Sequence, residues 1–148
     1  MKLLVINGPN INMLGAREPE LYGKQDYAAL LSRIEAFAKQ HGVAVDAYQS
    51  NIEGEIVGKI QSAAGVYDGI VINPAAYTHY SVAILDALKS VPVPAVEVHL
   101  THIAAREEFR HKSVTAAGCI GQIAGFGFDS YELALTALMK RMKGRETR

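Results

Sequence analysis

The stretch KLLVINGPNINMLGAREPELYGKQDYAALLSRIEAFAKQHGVAVDAYQS, residues 2–50, decides the fold. Apolar runs at 2–7 and 43–50 have the length and composition of buried strands. Between them, apolar residues recur at helical spacing from Tyr27 to His41, and Gly42 suits the left-handed position that ends a helix. A strand, a helix and a second strand in this order predict two parallel strands joined by a right-handed crossover.

The same alternation continues along the rest of the chain. Further strands are predicted at 69–74, 93–100 and 119–127, the last one weakly because glycines interrupt it. Three further helices are predicted to begin at a capping box over 50–53, near Thr78 and at Asp129. Their expected inward residues are Ile56, Ile60 and Ala63 in the first, Val82, Leu85 and Leu88 in the second, and Ala134, Leu135, Leu138 and Met142 in the third.

These elements predict one α/β domain over residues 1–148. We expect a flavodoxin-like, doubly wound, five-stranded parallel sheet with helices on both faces, the strand order being inferred by analogy. The basic segment 140–148 is expected to be a solvated, frayed end. Residues 8–24 are expected to form a loop that covers a site.

The composition is that of an ordinary globular protein. Hydrophobic residues make up 49% of the chain, and 15 Lys and Arg balance 15 Asp and Glu. Without a net charge, no global field recruits nucleic acid or an acidic membrane, so any partner is recognised locally. Neither a signal peptide nor a membrane-spanning run is evident, and Cys119 is interpreted as a small buried hydrophobic residue. We expect a cytoplasmic protein.

Polar side chains follow the ends of the predicted strands, where ligands of open α/β sheets bind. Amides, a phenol, an imidazole and cations are therefore expected to converge at one edge of the sheet. They are Asn7, Asn10, Asn12, Arg17 and Tyr22 after the first strand, Asn73 and His79 after the third, and Glu97, His99, Thr101, Arg106 and Arg110 at or after the fourth.

The loop of residues 8–24 is longer than the usual connection of about 4–6 residues, and such loops often cover active sites. It does not have the pattern of a nucleotide-binding turn, because Gly8 and Gly15 are too far apart for G-x-G-x-x-G and no G-K-[ST] follows. A phosphorylated receiver domain is also disfavoured, since Asn7 and Asn73 stand where that site needs carboxylates.

Three segments carry a family resemblance. NGPNINMLGAREPELYG (7–23), INPAAYTHYSVAILDAL (72–88) and EVHLTHIAAREEFRHKS (97–113) resemble, in order and spacing, the signature segments of type II 3-dehydroquinate dehydratases. The resemblance implies a hydro-lyase that reversibly eliminates water from 3-dehydroquinate to give 3-dehydroshikimate through an enolate. It implies no metal and no organic cofactor, and a place in aromatic amino acid biosynthesis or in quinate catabolism.

The resemblance also implies a role for each site residue. Tyr22 would accept the proton, and Arg17 would stabilise the Tyr22 phenolate electrostatically. His99 would donate a proton to the leaving hydroxyl, and Asn10 would lie at the enolate oxygen. The substrate carboxylate would be held by Asn73 and the backbone at Leu100 and Thr101, and the ring hydroxyls by His79, Asp86 and Arg110. In the family the residue matching Asp86 reaches a neighbouring subunit's site, which implies a homo-oligomer, usually a dodecamer built from trimers.

The local chemistry agrees with these roles. A phenol with an ordinary pKa of about 10 is mostly protonated at neutral pH, and a guanidinium in contact with it lowers that pKa by roughly 1–3 units. Arg17 lies five residues before Tyr22 on the same loop. Glu97 and His99 are two apart on a strand and so share a face, where the carboxylate would orient the imidazole and favour its protonated form.

Three other interpretations are weighed. Metal binding by Glu97, His99 and His102 is disfavoured because His102 lies off the shared face or past the strand end. A flavodoxin-like module that carries flavin or a nucleotide would need the phosphate-binding turn that the 8–24 loop lacks. A purely structural subunit would bind no ring acid at all.

Overall fold

Five strands and four helices alternate along the described chain, residues 1–16 and 25–146 of a computed structural model. The strands are β1 (Lys2–Asn7), β2 (Ala44–Gln49), β3 (Gly69–Asn73), β4 (Ala95–His99) and β5 (Gly121–Ala124). The helices are α1 (Tyr27–His41), α2 (Glu53–Gln61), α3 (Val82–Ser90) and α4 (Asp129–Glu146). Short 3₁₀ turns include Ile11–Met13, Ala75–His79, Glu108–Arg110 and Thr115–Gly118.

The sheet is parallel throughout and has the strand order β2-β1-β3-β4-β5. This order confirms the predicted flavodoxin-like, doubly wound sheet. In the central pair, Asn7 of β1 lies in register with Asn73 of β3, so the last residues of the two strands are neighbours. The edge where ligands bind in this fold therefore begins with two adjacent asparagines.

Alternate residues of the central strands enter two separate cores. Leu3 and Val5 face the core that α1 and α4 cover, whereas Leu4 and Ile6 face the core that α2 and α3 cover. All four side chains are fully buried, and each contributes about 1.5–3 kcal/mol relative to an exposed position. Helices therefore cover both faces of the sheet, as the continuous apolar strands predict. Among the described helices, none combines the length and apolar character needed to cross a membrane.

Two helix ends follow from local side chains. The Asp26 carboxylate accepts a hydrogen bond of 2.8 Å from the Ala29 N–H and caps the start of α1. Gly42 has a φ of 64° after the last turn, which confirms the predicted left-handed stop. The N-terminal cap at Asp26 fixes where the chain enters α1 after the loop.

The predicted capping box at 50–53 is wrong in its pairing. Ser50 accepts from the Ile52 N–H at 2.9 Å and donates to Glu55 at 2.5 Å. Glu53 instead accepts from the Ser81 hydroxyl at 2.7 Å. The tertiary contact with the start of α3 has replaced the local one, because Glu53 faces α3 and not back along its own helix.

The predicted start of the third helix is also wrong. Residues 75–79 form a 3₁₀ turn, and α3 begins at Val82 after Ser81, whose hydroxyl accepts from the Ile84 N–H at 3.0 Å. This start sets the helical phase, and Val82 is 58% exposed instead of facing inward. The buried residues of α3 are Ile84, Ala87 and Leu88, while Leu85 is half-buried.

The C-terminal elements differ in length from the prediction. Strand β5 covers only residues 121–124, and Ile120 is exposed just before it. Helix α4 begins at Asp129 as predicted but continues through Glu146, so residues 140–146 are helical and not a frayed end. Its buried side chains include Leu135 and Leu138, which pack on the sheet.

Candidate active site

A cavity of about 400 Å³ opens at the carboxyl ends of β1, β3 and β4. This is the edge at which the sequence predicts a site. The cavity wall includes most of the predicted site residues that the structure describes: Asn10, Asn73, His79, His99, Leu100, Thr101 and Arg110. Convergence of these side chains from three strand ends confirms that they share one pocket.

Two of the predicted site residues that the structure describes do not border this cavity. Glu97 is fully buried beneath His99 and does not line the cavity. Asp86 is exposed on α3 and does not border the cavity. Arg17 and Tyr22 lie outside the described residues.

A buried pair lies at the end of β4, and of its two members only His99 borders the cavity. The Nε2 atom of His99 lies 3.6 Å from Oε2 of Glu97, which is within ion-pair range but long for a hydrogen bond. His99 is 5% exposed, and its Nε2 has no hydrogen-bond partner among the residues described. The carboxylate therefore faces the ring from within the protein while the ring reaches the cavity.

Four side chains surround the Glu97 carboxylate. Oε1 accepts from the Thr78 hydroxyl at 2.5 Å and from the Thr115 hydroxyl, and Oε2 accepts from Ser113 at 2.7 Å and Gln122 at 2.8 Å. We call Thr78, Ser113, Thr115 and Gln122 the carboxylate cage. These four come from three different parts of the chain, and nothing in the local sequence marks them as partners of Glu97.

The cage keeps Glu97 ionised despite its burial. Burial by itself raises the pKa of the Glu97 carboxyl, whereas the imidazole of His99 and the hydroxyls of the cage lower it to about 2. A permanently negative group thus stands behind His99 at neutral pH. This fixed charge faces the imidazole from within the protein, an arrangement that suits a residue that donates a proton.

Asn10 is held at the cavity mouth by polar residues after β2. Its backbone is left-handed, with a φ of 68°, and its N–H donates to Oδ1 of Asn51 at 3.0 Å. Gln49 donates to the same oxygen at 3.0 Å and to the carbonyl of Gly8 at 3.1 Å. Gln49 and Asn51 were not predicted as part of the site. Their signal in the sequence resembles the one at the other strand ends, since Gln49 is the last residue of β2 and Asn51 follows closely after it.

A tight turn after β3 carries His79 into the cavity. Ala75 adopts a φ of 54°, which is rare for a residue with a Cβ, and its N–H donates to Oδ1 of Asn73 at 3.1 Å. At the end of the turn, Nδ1 of His79 lies 2.8 Å from the carbonyl oxygen of Lys112. Since a carbonyl only accepts, Nδ1 carries the hydrogen and Nε2 is left as an acceptor.

Two guanidinium groups line the opposite wall of the cavity. Arg110 donates to Glu107 at 2.8 Å, and Arg106 lies 3.9 Å from the same carboxylate. The side chains of Glu107, Glu108 and Lys112 in the surrounding segment are exposed, and the segment forms a short 3₁₀ turn at Glu108–Arg110. Because both guanidinium groups border the cavity, an anionic ligand gains favourable charge interactions there.

Tyr131 bonds two asparagines at the strand ends, a role that the sequence does not indicate. It is fully buried in α4, and its hydroxyl donates to Oδ1 of Asn7 at 2.6 Å and accepts from Nδ2 of Asn73 at 2.9 Å. A tyrosine in an apolar helical stripe has no signal that distinguishes this role. Only the register of β1 and β3 brings its two partners together.

A second groove on the described residues is less suited to chemistry. It has a volume of about 500 Å³, is more open, and lies between α1 and α4. The charged residue in its wall, Arg33, is already paired with Asp129 at 2.5 Å and with Glu132 at 3.1 Å. Within residues 1–16 and 25–146, no group of three or more His, Cys, Asp or Glu is placed to hold a metal ion.

Comparison with known proteins gives the family. The family model described as dehydroquinase class II matches residues 1–139. The chain belongs to the class II dehydroquinase family. It is 56% identical to a 3-dehydroquinate dehydratase of Clostridium perfringens strain SM101, over 98% of this chain and all of the relative. A 3-dehydroquinate dehydratase of Clostridium acetobutylicum is 58% identical over 93% of this chain and 96% of its own.

A solved structure supports the same assignment. The crystal structure of a type II dehydroquinase from Butyrivibrio crossotus superimposes with a TM-score of 0.89 and is 52% identical, covering 93% of this chain and 97% of the other. All of the predicted site residues of this dehydroquinase lie within the segment that the family model matches.

Proposed function

We propose that this class II dehydroquinase is a 3-dehydroquinate dehydratase, which reversibly eliminates water from 3-dehydroquinate to give 3-dehydroshikimate through an enolate. Membership of the family and near full-length similarity to proteins named 3-dehydroquinate dehydratase support the substrate. The observation that carries the chemistry is the buried Glu97–His99 pair facing a cavity of about 400 Å³. An imidazole backed by an ionised carboxylate suits the acid that protonates a leaving hydroxide.

The other wall of the cavity supports binding of a carboxylate-bearing ring. Asn73, Leu100 and Thr101 border the cavity, and so do His79 and Arg110. Neutral amides suit a carboxylate or hydroxyl oxygen, and the guanidinium supplies positive charge. We assign Asn73, Leu100 and Thr101 to the substrate carboxylate, and His79 and Arg110 to the ring hydroxyls.

The enolate oxygen is assigned to Asn10. Its left-handed backbone is fixed through Asn51, so its position is set before substrate binds. A preorganised amide at the developing oxyanion stabilises it without competing as a proton source. The base is assigned to Tyr22 with Arg17 beside it, from their place on the loop of residues 8–24.

Asp86 is assigned to the site of a neighbouring subunit. Its exposure on α3, away from the cavity of its own chain, supports this assignment. The proposal therefore includes a homo-oligomer, with a dodecamer of four trimers as the expected assembly. A cytoplasmic location, and the choice between biosynthetic and catabolic flux, stay predictions.

The proposed function is tested by adding 3-dehydroquinate to the purified protein and following the ultraviolet absorbance of the conjugated enone product. We expect enone to form, and His99→Gln to lower kcat by about 10²–10⁴, the usual contribution of one positioned acid. Tyr67→Phe is the control, because Tyr67 bonds Asp46 at 2.6 Å and does not border the cavity. A protein that forms no enone, or that binds flavin instead, would overturn the proposal.

A further inference from the structure

A buried chain of polar groups links helix α4 to the ends of β1 and β3. Nδ2 of Asn73 lies 2.9 Å from the Tyr131 hydroxyl, and that hydroxyl lies 2.6 Å from Oδ1 of Asn7. All three side chains are at least 97% buried, since Asn7 and Tyr131 are 0% exposed and Asn73 is 3% exposed. Buried polar groups without partners are costly, so these hydrogen bonds constrain the side chains strongly.

The direction of each hydrogen bond in the chain is determined. A tyrosine hydroxyl has one hydrogen, and the Asn7 oxygen can only accept, so that hydrogen goes to Asn7 and the hydroxyl oxygen accepts from Asn73. Burial raises the pKa of Tyr131, which keeps the hydroxyl protonated at neutral pH. The Asn73 amide must therefore turn its nitrogen toward Tyr131.

The oxygen of the same amide is held on its other side. Oδ1 of Asn73 accepts the N–H of Ala75 at 3.1 Å and so supports the left-handed residue that begins the turn to His79. Reversing the amide would place its N–H₂ against the Ala75 N–H and leave two donors facing each other. Tyr131 and Ala75 thus act from opposite sides to select one orientation.

We propose that Tyr131 is a positioning residue, which sets the direction of the Asn73 amide so that the cavity presents a neutral N–H donor to an oxygen of the substrate. The amide nitrogen has two hydrogens, of which Tyr131 takes one, and Asn73 lines the cavity. The second hydrogen remains for the ligand. Tyr131 itself does not line the cavity and acts only through Asn73.

Asn7 fixes the other end of the chain. Its Nδ2 is buried and has no hydrogen-bond partner among the residues described, yet it lies near the phenol of Tyr27. Burial raises the pKa of Tyr27 and the Asn7 amide lowers it, as a donor directed at the phenol oxygen does. With Nδ2 directed toward Tyr27, Oδ1 is left for Tyr131.

The inference rests on the proposed function and is tested by Tyr131→Phe, which keeps the buried ring and removes only the hydroxyl. We expect the variant to stay folded, its KM for 3-dehydroquinate to rise roughly tenfold, and its kcat to fall by less than about threefold, because Asn73 binds and does not react. Tyr67→Phe, another tyrosine with a side-chain acceptor, should leave both constants unchanged.

A double-mutant comparison tests whether Tyr131 affects substrate binding through Asn73. In an Asn73→Ala background, adding Tyr131→Phe should change KM by less than about twofold, since the group it positions is gone. The inference would be overturned if the two substitutions raised KM by independent factors that multiply in the double mutant. It would also be overturned if Tyr131→Phe lowered the melting temperature but left KM unchanged. A wild-type protein without turnover would refute the proposed function instead. Crystal structures of the wild type and Tyr131→Phe would then decide the inference, which fails if the Asn73 amide keeps its orientation in the variant.

Discussion

Replacing Thr115 with valine tests whether the carboxylate cage keeps Glu97 ionised. Valine has nearly the same shape as threonine but cannot donate a hydrogen bond, and Thr115 is fully buried. The change removes the donor to Oε1 of Glu97 and leaves Thr78 on that oxygen. A hydrogen bond to a charged group contributes about 1.5–3 kcal/mol, so the variant should be about 2 kcal/mol less stable at pH 7.

The pH dependence separates this effect from a packing defect. The pKa of Glu97 in the folded protein, about 2, lies below its ordinary value of 4.5. The difference of about 2.5 units corresponds to about 3 kcal/mol of stability. Because the folded pKa is the lower one, this contribution is fully present above pH 4.5 and is lost as the pH falls through about 2.

In Thr115→Val the pKa of Glu97 should rise by about 1–2 units, since about 1.4 kcal/mol corresponds to one unit. The stability difference between wild type and variant should therefore shrink as the pH is lowered from 4.5 to 2. Urea unfolding followed by circular dichroism, at one protein concentration and several pH values, measures this difference.

Thr136→Val is the matched control. The Thr136 hydroxyl donates to the backbone carbonyl of Glu132 at 2.8 Å, so its loss involves no titrating acceptor. Its effect on the free energy of unfolding should be the same at every pH. If Thr115→Val also shows a constant difference from pH 7 to pH 2, the cage does not control the ionisation of Glu97.

Three further predictions concern the site. In Gly8→Ala the new Cβ would lie 2.5 Å from the Pro74 carbonyl oxygen, so β1 and the turn after β3 must separate. We expect the free energy of unfolding in urea to fall by about 2 kcal/mol or more and KM to rise, and unchanged values would contradict the close approach. Tyr22→Phe should abolish nearly all turnover while calorimetry shows little change in binding of a ring acid; turnover near the wild-type rate would remove Tyr22 as the base. Asp86→Ala and Tyr22→Phe subunits, each inactive alone, should recover part of the activity when reassembled together, and no recovery would count against a shared site.

The fold followed from the sequence because its signals are local and repeated. Each strand is an apolar run between turn residues, and Gly42 and Asp129 mark helix ends that the structure reproduces. One error arose where a tertiary partner displaced a local one, and another where a cap at a later residue moved the start of a helix. Glu53 bonds Ser81 instead of completing a capping box, and the cap at Ser81 sets the phase of α3 and so exposes Val82.

The cavity wall was predictable for a related reason. In a parallel sheet, residues directly after different strands meet at one edge, so Asn10, Asn73 and His99 could be grouped without knowing any distance. The residues behind the cavity wall could not be predicted in this way. Thr115 and Tyr131 lie 18 and 58 positions from the side chains they bond, Glu97 and Asn73, and only the folded chain brings them together.

The surroundings of Glu97 indicate what its burial achieves. Replacing a buried ionic group with well-packed apolar residues is often neutral or favourable, by about 1–4 kcal/mol, so the charge is not required for a stable core. Of the side chains in residues 1–16 and 25–146 that contact the carboxylate, only His99 borders the cavity, whereas Thr78, Ser113, Thr115 and Gln122 do not. The four donors therefore act on a ligand only through the imidazole. In the proposed reaction, their effect is to hold one negative charge at a fixed place behind His99, the proposed proton donor.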